Sequence, residues 1–310
     1  MGLTLREAFG NTLVELIPNK DVVVLDADLS HATKILYFSK ECPERFINMG
    51  IAEADMLGTA AGLALSGKIP FACSFAVFSV GRAFDQIRNT ICYSNLNVKI
   101  VGTHTGISVG EDGGTHQSVE DIALTRSLPN MVIFSPCDDV ETRLAVLAAV
   151  EHKGPVYLRI SRIASPTIHE KGFVFTPGKG EKLRDGKDIT IIATGVMVAK
   201  ALEACDLLLK EGIKATVINI STIKPLDEDL ITSSAKETGN VITVEEHSIY
   251  GGLGGAVCEV LSKKQPTKVS VIGINDSFGK SGNPDKLFEH FGLTVDNIVK
   301  TAKEMIGKAE

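Results

Sequence analysis

Short apolar runs recur along this chain, each followed by a longer stretch of helical spacing, and no other feature restricts the possible folds as much. The runs predicted as strands are Val22–Asp26, Arg45–Met49, Ile69–Ser74, Val98–Thr103, Met131–Ser135 and Val156–Ile160. Helical spacing covers Leu5–Ile17, Ala52–Leu65, Phe78–Ile91 and Val140–His152. A strand followed by a helix, repeated, implies a parallel sheet with helices on both faces. The strands are apolar throughout rather than alternating, which burial of both sheet faces requires. Between Arg162 and Asp188 the rhythm breaks into prolines, glycines and scattered charges, a linker composition. It resumes with strands at Ile189–Ala193, Ala215–Ile220, Asn240–Val244 and Lys268–Gly273, separated by helices at Val196–Leu209, Glu228–Ala235, Gly254–Leu261 and Val295–Met305. The expected organisation is an α/β domain over 1–162, a linker over 163–187 and a smaller α/β domain over 188–310.

Composition narrows the function. The formal charge of −6 leaves no basic footprint for nucleic acid. No apolar run approaches the roughly 20 residues needed to span a bilayer, and the sequence begins without the apolar core of a signal peptide. The six cysteines form no CxxC pair and fall mostly in apolar segments, so they read as reduced structural thiols of a cytoplasmic protein.

In open α/β sheets ligands bind beyond the carboxyl ends of the strands, and four such places carry unusual residues. At Asn48–Met56, Glu53 opens a helix rich in small apolar residues. It reads either as a capping group or as a carboxyl in apolar surroundings, its pKa raised so that it exchanges a proton with a ligand nitrogen. Phe75 and Phe78 follow a strand and suit either a core or a stacking wall for a planar heterocycle. From Gly102 to Gln117, five glycines accompany His104, His116, Glu111 and Asp112. His and Asp could hold a metal, though the spacing matches no zinc pattern; the better reading is a cradle of imidazoles and a carboxylate for a polyhydroxy substrate, with an inert loop as the third. Arg6, Arg159 and Arg162 are isolated arginines whose forks match phosphate oxygens or simple salt bridges. The stretch Tyr250–Gly255 is glycine-rich but does not complete GxGxxG, and Glu245–Ser248 before it reads as a polar structural or interface loop.

The ordered segments NMGIAEADM, SFAVFSVGRAFDQIR, VGTHTGISVGEDGGTHQSVEDIALTRSLPNM and VYLRISR closely resemble the C-terminal half of transketolase, in the split form where this half is a separate chain. The resemblance covers nearly the whole length. It implies a thiamine-diphosphate-binding fold, with a pyrimidine-binding domain followed by the transketolase C-terminal domain. It further implies ketol transfer between sugar phosphates through thiamine diphosphate and Mg²⁺. On that resemblance Glu53 matches the glutamate that hydrogen-bonds the aminopyrimidine, and Phe75 and Phe78 the aromatic wall. His104 and His116 match catalytic histidines, Asp112 a reader of a sugar hydroxyl, Arg6 and Arg162 the sugar-phosphate arginines, and Asp28 an acidic residue near the cofactor.

There are departures. Ala32 stands where a phosphate-binding serine is expected, and Gly81 where a third aromatic is usual. The GDG motif that grips the diphosphate and metal is absent. The resemblance therefore implies an N-terminal companion chain that ligates the metal, with a homodimer of this chain inside a heterotetramer and an active site shared between chains. Similar elements occur in 1-deoxyxylulose-5-phosphate synthase and in the beta chains of 2-oxo acid dehydrogenases. A non-catalytic subunit of the same fold is a further alternative.

Overall fold

The computed structural model describes residues 2–170 and 172–308. Twelve strands are found among them: β1 Val22–Asp26, β2 Phe46–Asn48, β3 Ile69–Phe75, β4 Lys99–Thr103, β5 Val132–Phe134, β6 Val156–Ile160, β7 Glu181–Arg184, β8 Ile189–Ala193, β9 Ala215–Asn219, β10 Thr222–Lys224, β11 Asn240–Ser248 and β12 Lys268–Ile274. They form two sheets, ordered β10-β5-β6-β4-β3-β1-β2 and β12-β11-β8-β9-β7. Every pairing is parallel except β10 with β5 and β7 with β9. The central strands β1, β4, β6, β8 and β9 are buried along their whole length, in keeping with their unbroken apolar runs. The result is a two-domain α/β fold with parallel sheets.

The two domains are fused more closely than the sequence rhythm suggests. Strand β10 lies in the second half of the chain yet adds to the edge of the first sheet. The segment expected to be a linker contains β7, whose alternating exposure marks it as an edge strand of the second sheet. Apolar packing also crosses between domains. One cluster runs from Phe9 and Leu13 through Phe134 and Cys137 to Ile191 and Met197, and another from Met56 and Ile87 through Ile133 to Ile223 and Ile231.

Two further differences bear on function. The helix expected over Phe78–Ile91 is two π-helical segments, Val77–Arg82 and Gln86–Cys92. A π-turn takes one more residue per turn than an α-turn, and apolar spacing alone cannot reveal it. Strand β11 continues beyond Val244 to Ser248, so Glu245, Glu246 and His247 are buried strand residues rather than a loop. Polar residues hid this extension, because the interdomain contacts that bury them are invisible in the local pattern.

Register aligns the carboxyl ends of the strands. Cys73 of β3 faces Asp26 of β1 and Val101 of β4, and Phe75 faces Thr103, which in turn faces Ile160 of β6. The loops after β1, β3, β4 and β6 therefore converge on one edge. Gly102 serves this edge, since a Cβ there would lie 2.5 Å from the Tyr157 hydroxyl and 2.9 Å from the Ala76 Cβ.

Candidate active site

Glu53 begins the helix Glu53–Leu65 but makes no cap hydrogen bond. Its side chain is 2 % exposed, and both carboxylate oxygens accept from Arg82 Nη1, at 3.0 and 2.9 Å. The expectation of a carboxyl in apolar surroundings is thus corrected: a guanidinium sits on it. The π-helical turn Val77–Arg82 carries Arg82 to this position, while Arg82 itself is half exposed and stacks over the Phe78 ring at 4.6 Å.

The aromatic residues connect this end to the rest. Phe75 and Phe78 lie nearly parallel, 5.9 Å apart with 10° between planes. The His116 ring stands edge-on to both, at 5.3 Å from Phe78 and 6.3 Å from Phe75. His104 stacks on Phe75 at 3.8 Å and is buried, with a left-handed backbone at φ 55°. Its Nε2 lies 3.4 Å from Arg6 Nη1, and its Nδ1 lies 2.9 Å from Thr103 Oγ1. A guanidinium can only donate, so Nε2 accepts and the ring proton belongs on Nδ1, donating to the threonine. Burial, then the nearby charges of Arg6 and Arg162, lower the His104 pKa to about 3. The ring is therefore neutral at physiological pH. In that form the ring can accept or donate a hydrogen bond but carries no charge.

Arg6 also donates to the Ala32 carbonyl at 3.0 Å, so the position lacking the expected serine takes part through its backbone. Arg162 donates to the Val109 carbonyl and pairs with Asp112 at 3.4 Å. Asp28 occupies the turn after β1 with a left-handed φ of 63° and accepts from Asn48 Nδ2 at 3.3 Å. A Cβ at Gly81 would meet nothing within 4 Å, so the missing third aromatic leaves open space. Glu53, Phe75, Phe78, His116, His104 and Arg6 thus form one continuous line of contacts, with Arg82 inserted. Arg162 and Asp112 stand as a pair at its cationic end. Asp28 is on the same sheet edge, with Asn48 as its contact.

Other residues stand apart from this line. Of the two readings open for Arg159, phosphate contact or salt bridge, the structure takes the salt bridge. Arg159 is buried, pairs with Asp121 at 2.8 Å and donates to the Glu246 carbonyl at 2.9 Å. Arg82 lies inside SFAVFSVGRAFDQIR, where a basic residue one turn beyond an aromatic pair is its one local signal. Among the described residues, Cys137, Asp138 and His169 are close enough to suggest a metal site. Both His169 ring nitrogens are already committed, to Asp138 at 2.8 Å and Glu181 at 2.7 Å, which leaves no lone pair for an ion. All six cysteines are free and five are buried. No helix among the described residues is long and apolar enough to cross a membrane.

Comparison with known proteins bears on this geometry. Residues 1–167 match the family model described as transketolase, pyrimidine binding domain, and residues 178–298 match transketolase, C-terminal domain. The chain is 49 % identical over 308 residues to a putative transketolase C-terminal section from Methanocaldococcus jannaschii, covering 98 % of this chain and 96 % of that one. It is 44 % identical over 302 residues to a 6-deoxy-6-sulfo-D-fructose transketolase subunit from Clostridium sp. (strain MSTE9), covering 97 % and 94 %. It is also 44 % identical over 305 residues to an apulose-4-phosphate transketolase subunit from Phocaeicola vulgatus, covering 98 % and 97 %. A solved structure described as a split gene transketolase, inactive beta4 tetramer, superposes with a TM-score of 0.92 at 50 % identity, covering all of both chains. Transketolase from Campylobacter jejuni superposes with a TM-score of 0.83 at 27 % identity, covering 97 % of this chain and 46 % of that one.

Proposed function

The chain belongs to the transketolase family, and from that premise we propose that it is the C-terminal half of a split transketolase that works with a separate N-terminal companion. Together the two would transfer a two-carbon ketol unit from a ketose phosphate to an aldose phosphate. The observation that carries this reading is the line from Glu53 through the Phe75–Phe78 pair and His104 to Arg6. It ranges a carboxylate, a flat apolar wall, a neutral imidazole and cations in an order that would suit a flat heterocycle with a sugar phosphate beyond it. The split arrangement is supported by relatives of matching length, and by a solved relative described as a split gene transketolase, inactive beta4 tetramer.

The residues present fit thiamine diphosphate at its pyrimidine end. Parallel phenyl rings suit a flat heterocycle, and Glu53 offers a buried carboxyl that can share a proton with a ring nitrogen. Arg82 meets that carboxyl by donating N–H groups, as a ring nitrogen would once protonated, and its half-exposed side chain has solvent to move into when a heterocycle takes its place. When bound, the cofactor supplies the carbon acid that takes up and passes on the two-carbon unit. Glu53 holds a proton at the ring nitrogen, His104 orients a substrate hydroxyl through Nε2, and Arg6 and Arg162 neutralise the terminal anion. Asp112, paired to Arg162, would read a neighbouring hydroxyl, and Asp28, in the turn after β1 on the same sheet edge, would lie near the cofactor. This chain offers no GDG grip, so the companion would hold the diphosphate through Mg²⁺. A homodimer of this chain inside a heterotetramer, in the cytoplasm, completes the proposal.

A second reading concerns the substrate. Relatives at 44 % identity are named for 6-deoxy-6-sulfo-D-fructose and apulose 4-phosphate. Arg6 and Arg162 suit a sulfonate as well as a phosphate, since both present anionic oxygens in a compact group. The deciding experiment assays ketol transfer by this chain alone and mixed with its N-terminal companion, with thiamine diphosphate and Mg²⁺. Donors are xylulose 5-phosphate and 6-deoxy-6-sulfofructose, with ribose 5-phosphate as acceptor. Transfer only in the mixture is expected. Transfer by the lone chain would refute the shared site, and silence of the mixture with every donor would refute the activity.

A further inference from the structure

The loop carrying His104, Asp112 and His116 is held from below by a residue of the other domain. Glu246, on β11, is buried and reaches into the turn after β4. Its Oε1 accepts the Ser108 N–H at 2.5 Å, with the Ile107 N–H also donating. Gly106 makes room for it: its φ is +71°, and a Cβ would lie 2.4 Å from the Glu246 carboxyl. The turn is thus a nest of successive N–H groups, a concavity that ordinarily attracts an anion, and here Glu246 fills it. Oε2 has no hydrogen-bond partner although it is buried.

We propose that Glu246 is a positioning residue for substrate binding, whose carboxylate fixes the turn Gly106–Ser108 and through it the anion-binding Arg162. The transmission is short. Ser108 is held by Glu246, and the next carbonyl, Val109, accepts from Arg162, which pairs with Asp112. His104 leads into the same turn, which closes by Gly106 N–H donating to the Ser118 carbonyl at 2.7 Å. A loosened turn therefore moves both ends of the substrate cradle, while Glu53, Phe75 and Phe78 stand on other elements and stay in place. This inference rests on the proposed ketol transfer for its kinetic consequence, though not for its structural one.

The charge state of Glu246 gives the idea a second handle. Burial raises its pKa to about 7, against the opposing pull of Arg159 and the N–H groups of Ser108 and Ile107. Arg159, from β6, is the charged group facing it, itself tied to Asp121. The neighbouring Glu245 is turned to the Leu253 and Gly254 N–H groups, and His247 to Ala123. The carboxylate is the stronger acceptor, so the turn tightens as pH rises through about 7 and loosens below it.

The test uses Glu246→Gln, which keeps shape and loses charge, and Glu246→Ala, each assembled with the N-terminal companion. Hydrogen exchange of the 106–109 amides is read without substrate. Exchange about tenfold faster in Glu246→Ala, with the β4 amides unchanged, is expected from loss of a charge-assisted bond. In kinetics, KM for the donor should rise about tenfold in Glu246→Gln with kcat little changed, and the acidic limb near pH 7 in wild-type kcat/KM should vanish. Glu246→Gln should melt no lower than wild type at pH 8, which separates positioning from folding. If Glu246→Ala fails to fold, Glu246→Gln still decides through KM and pH profile. Unchanged exchange, or a Gln variant with wild-type KM and pH profile, overturns the proposal. A wild-type complex without ketol transfer refutes the proposed function instead, and exchange then decides the role of Glu246 alone.

Discussion

The connection between the domains passes through a histidine that should make stability fall as pH rises. His169 is 5 % exposed, and its two ring nitrogens meet Asp138 at 2.8 Å and Glu181 at 2.7 Å. Two carboxylate partners require both nitrogens to donate, so the ring is protonated. Burial disfavours that charge, but the hydrogen bond to Asp138, the charges of Glu141 and Asp138, and the hydrogen bond to Glu181 outweigh it and raise the pKa to about 9. Asp138 also caps the helix Asp139–Glu151 and accepts the backbone N–H groups of Ile168 and His169, while Glu181 belongs to β7. The ring therefore ties the interdomain segment to the start of that helix on one side and to the second sheet on the other. Relative to an ordinary histidine near 6.5, the shift is worth roughly 3 kcal/mol of folding stability. For a raised pKa that contribution is complete below about pH 6.5 and is lost as pH climbs to about 9.

The perturbation is His169→Gln, and the assay is thermal unfolding of both proteins at steps from pH 6 to 9.5. Other groups titrate in the same window. Lys99, lowered by burial to about 7, contributes the opposite slope. The informative quantity is thus the difference between the two proteins, in which shared slopes cancel. That difference should shrink by roughly 3 kcal/mol, or roughly 5 °C in Tm for a chain of this size, between pH 6.5 and 9. A difference independent of pH would refute the protonated latch.

Three further outcomes are expected. Glu53→Gln should leave the fold intact and lower kcat of the assembled enzyme by a factor of about 100 or more, the range for losing a proton-transfer group; a variant retaining most of its kcat would remove Glu53 from the chemistry. Arg159→Met should destabilise by about 3–5 kcal/mol in urea titration, because it strands the fully buried Asp121 carboxylate; a loss under about 1 kcal/mol would mean that the pair is solvated in solution. Gly106→Ala should cost about 1–3 kcal/mol and raise KM, since the new Cβ meets the Glu246 carboxyl on a left-handed backbone; wild-type behaviour in both would contradict the tight turn.

Much of the site was legible in the sequence, for a local reason. Phe75 ends a strand, and Glu53, Phe78, His104, Asp112 and His116 lie in the segments that follow one; a parallel sheet brings the ends of its strands to one edge whatever the helices between them do. Arg6 and Arg162 come from opposite ends of the first domain and still meet there, because β6 is central and the first helix packs beside it. The environment of each group was not legible. Glu53 was expected among apolar neighbours, and a π-turn with no signature in the hydrophobic pattern puts Arg82 on it. Arg159 and Arg162 are three residues apart and looked alike, yet one is sealed against Asp121 while the other remains at the cleft.

The alternation of strand and helix, the burial of the sheets on both faces and the loops in which chemistry resides all follow from residue order, because they depend on spacing within ten or fifteen residues. What reaches those loops from far along the chain follows only from the way the elements pack. Strand β10 joins the first sheet from the second half, Glu246 enters the turn at Ser108 from 138 residues away, and His169 closes on Asp138 from 31 residues away. Such contacts bury polar groups only where distant partners satisfy them. In the local sequence they look like solvated loop residues, and the fold alone turns them into supports for the site.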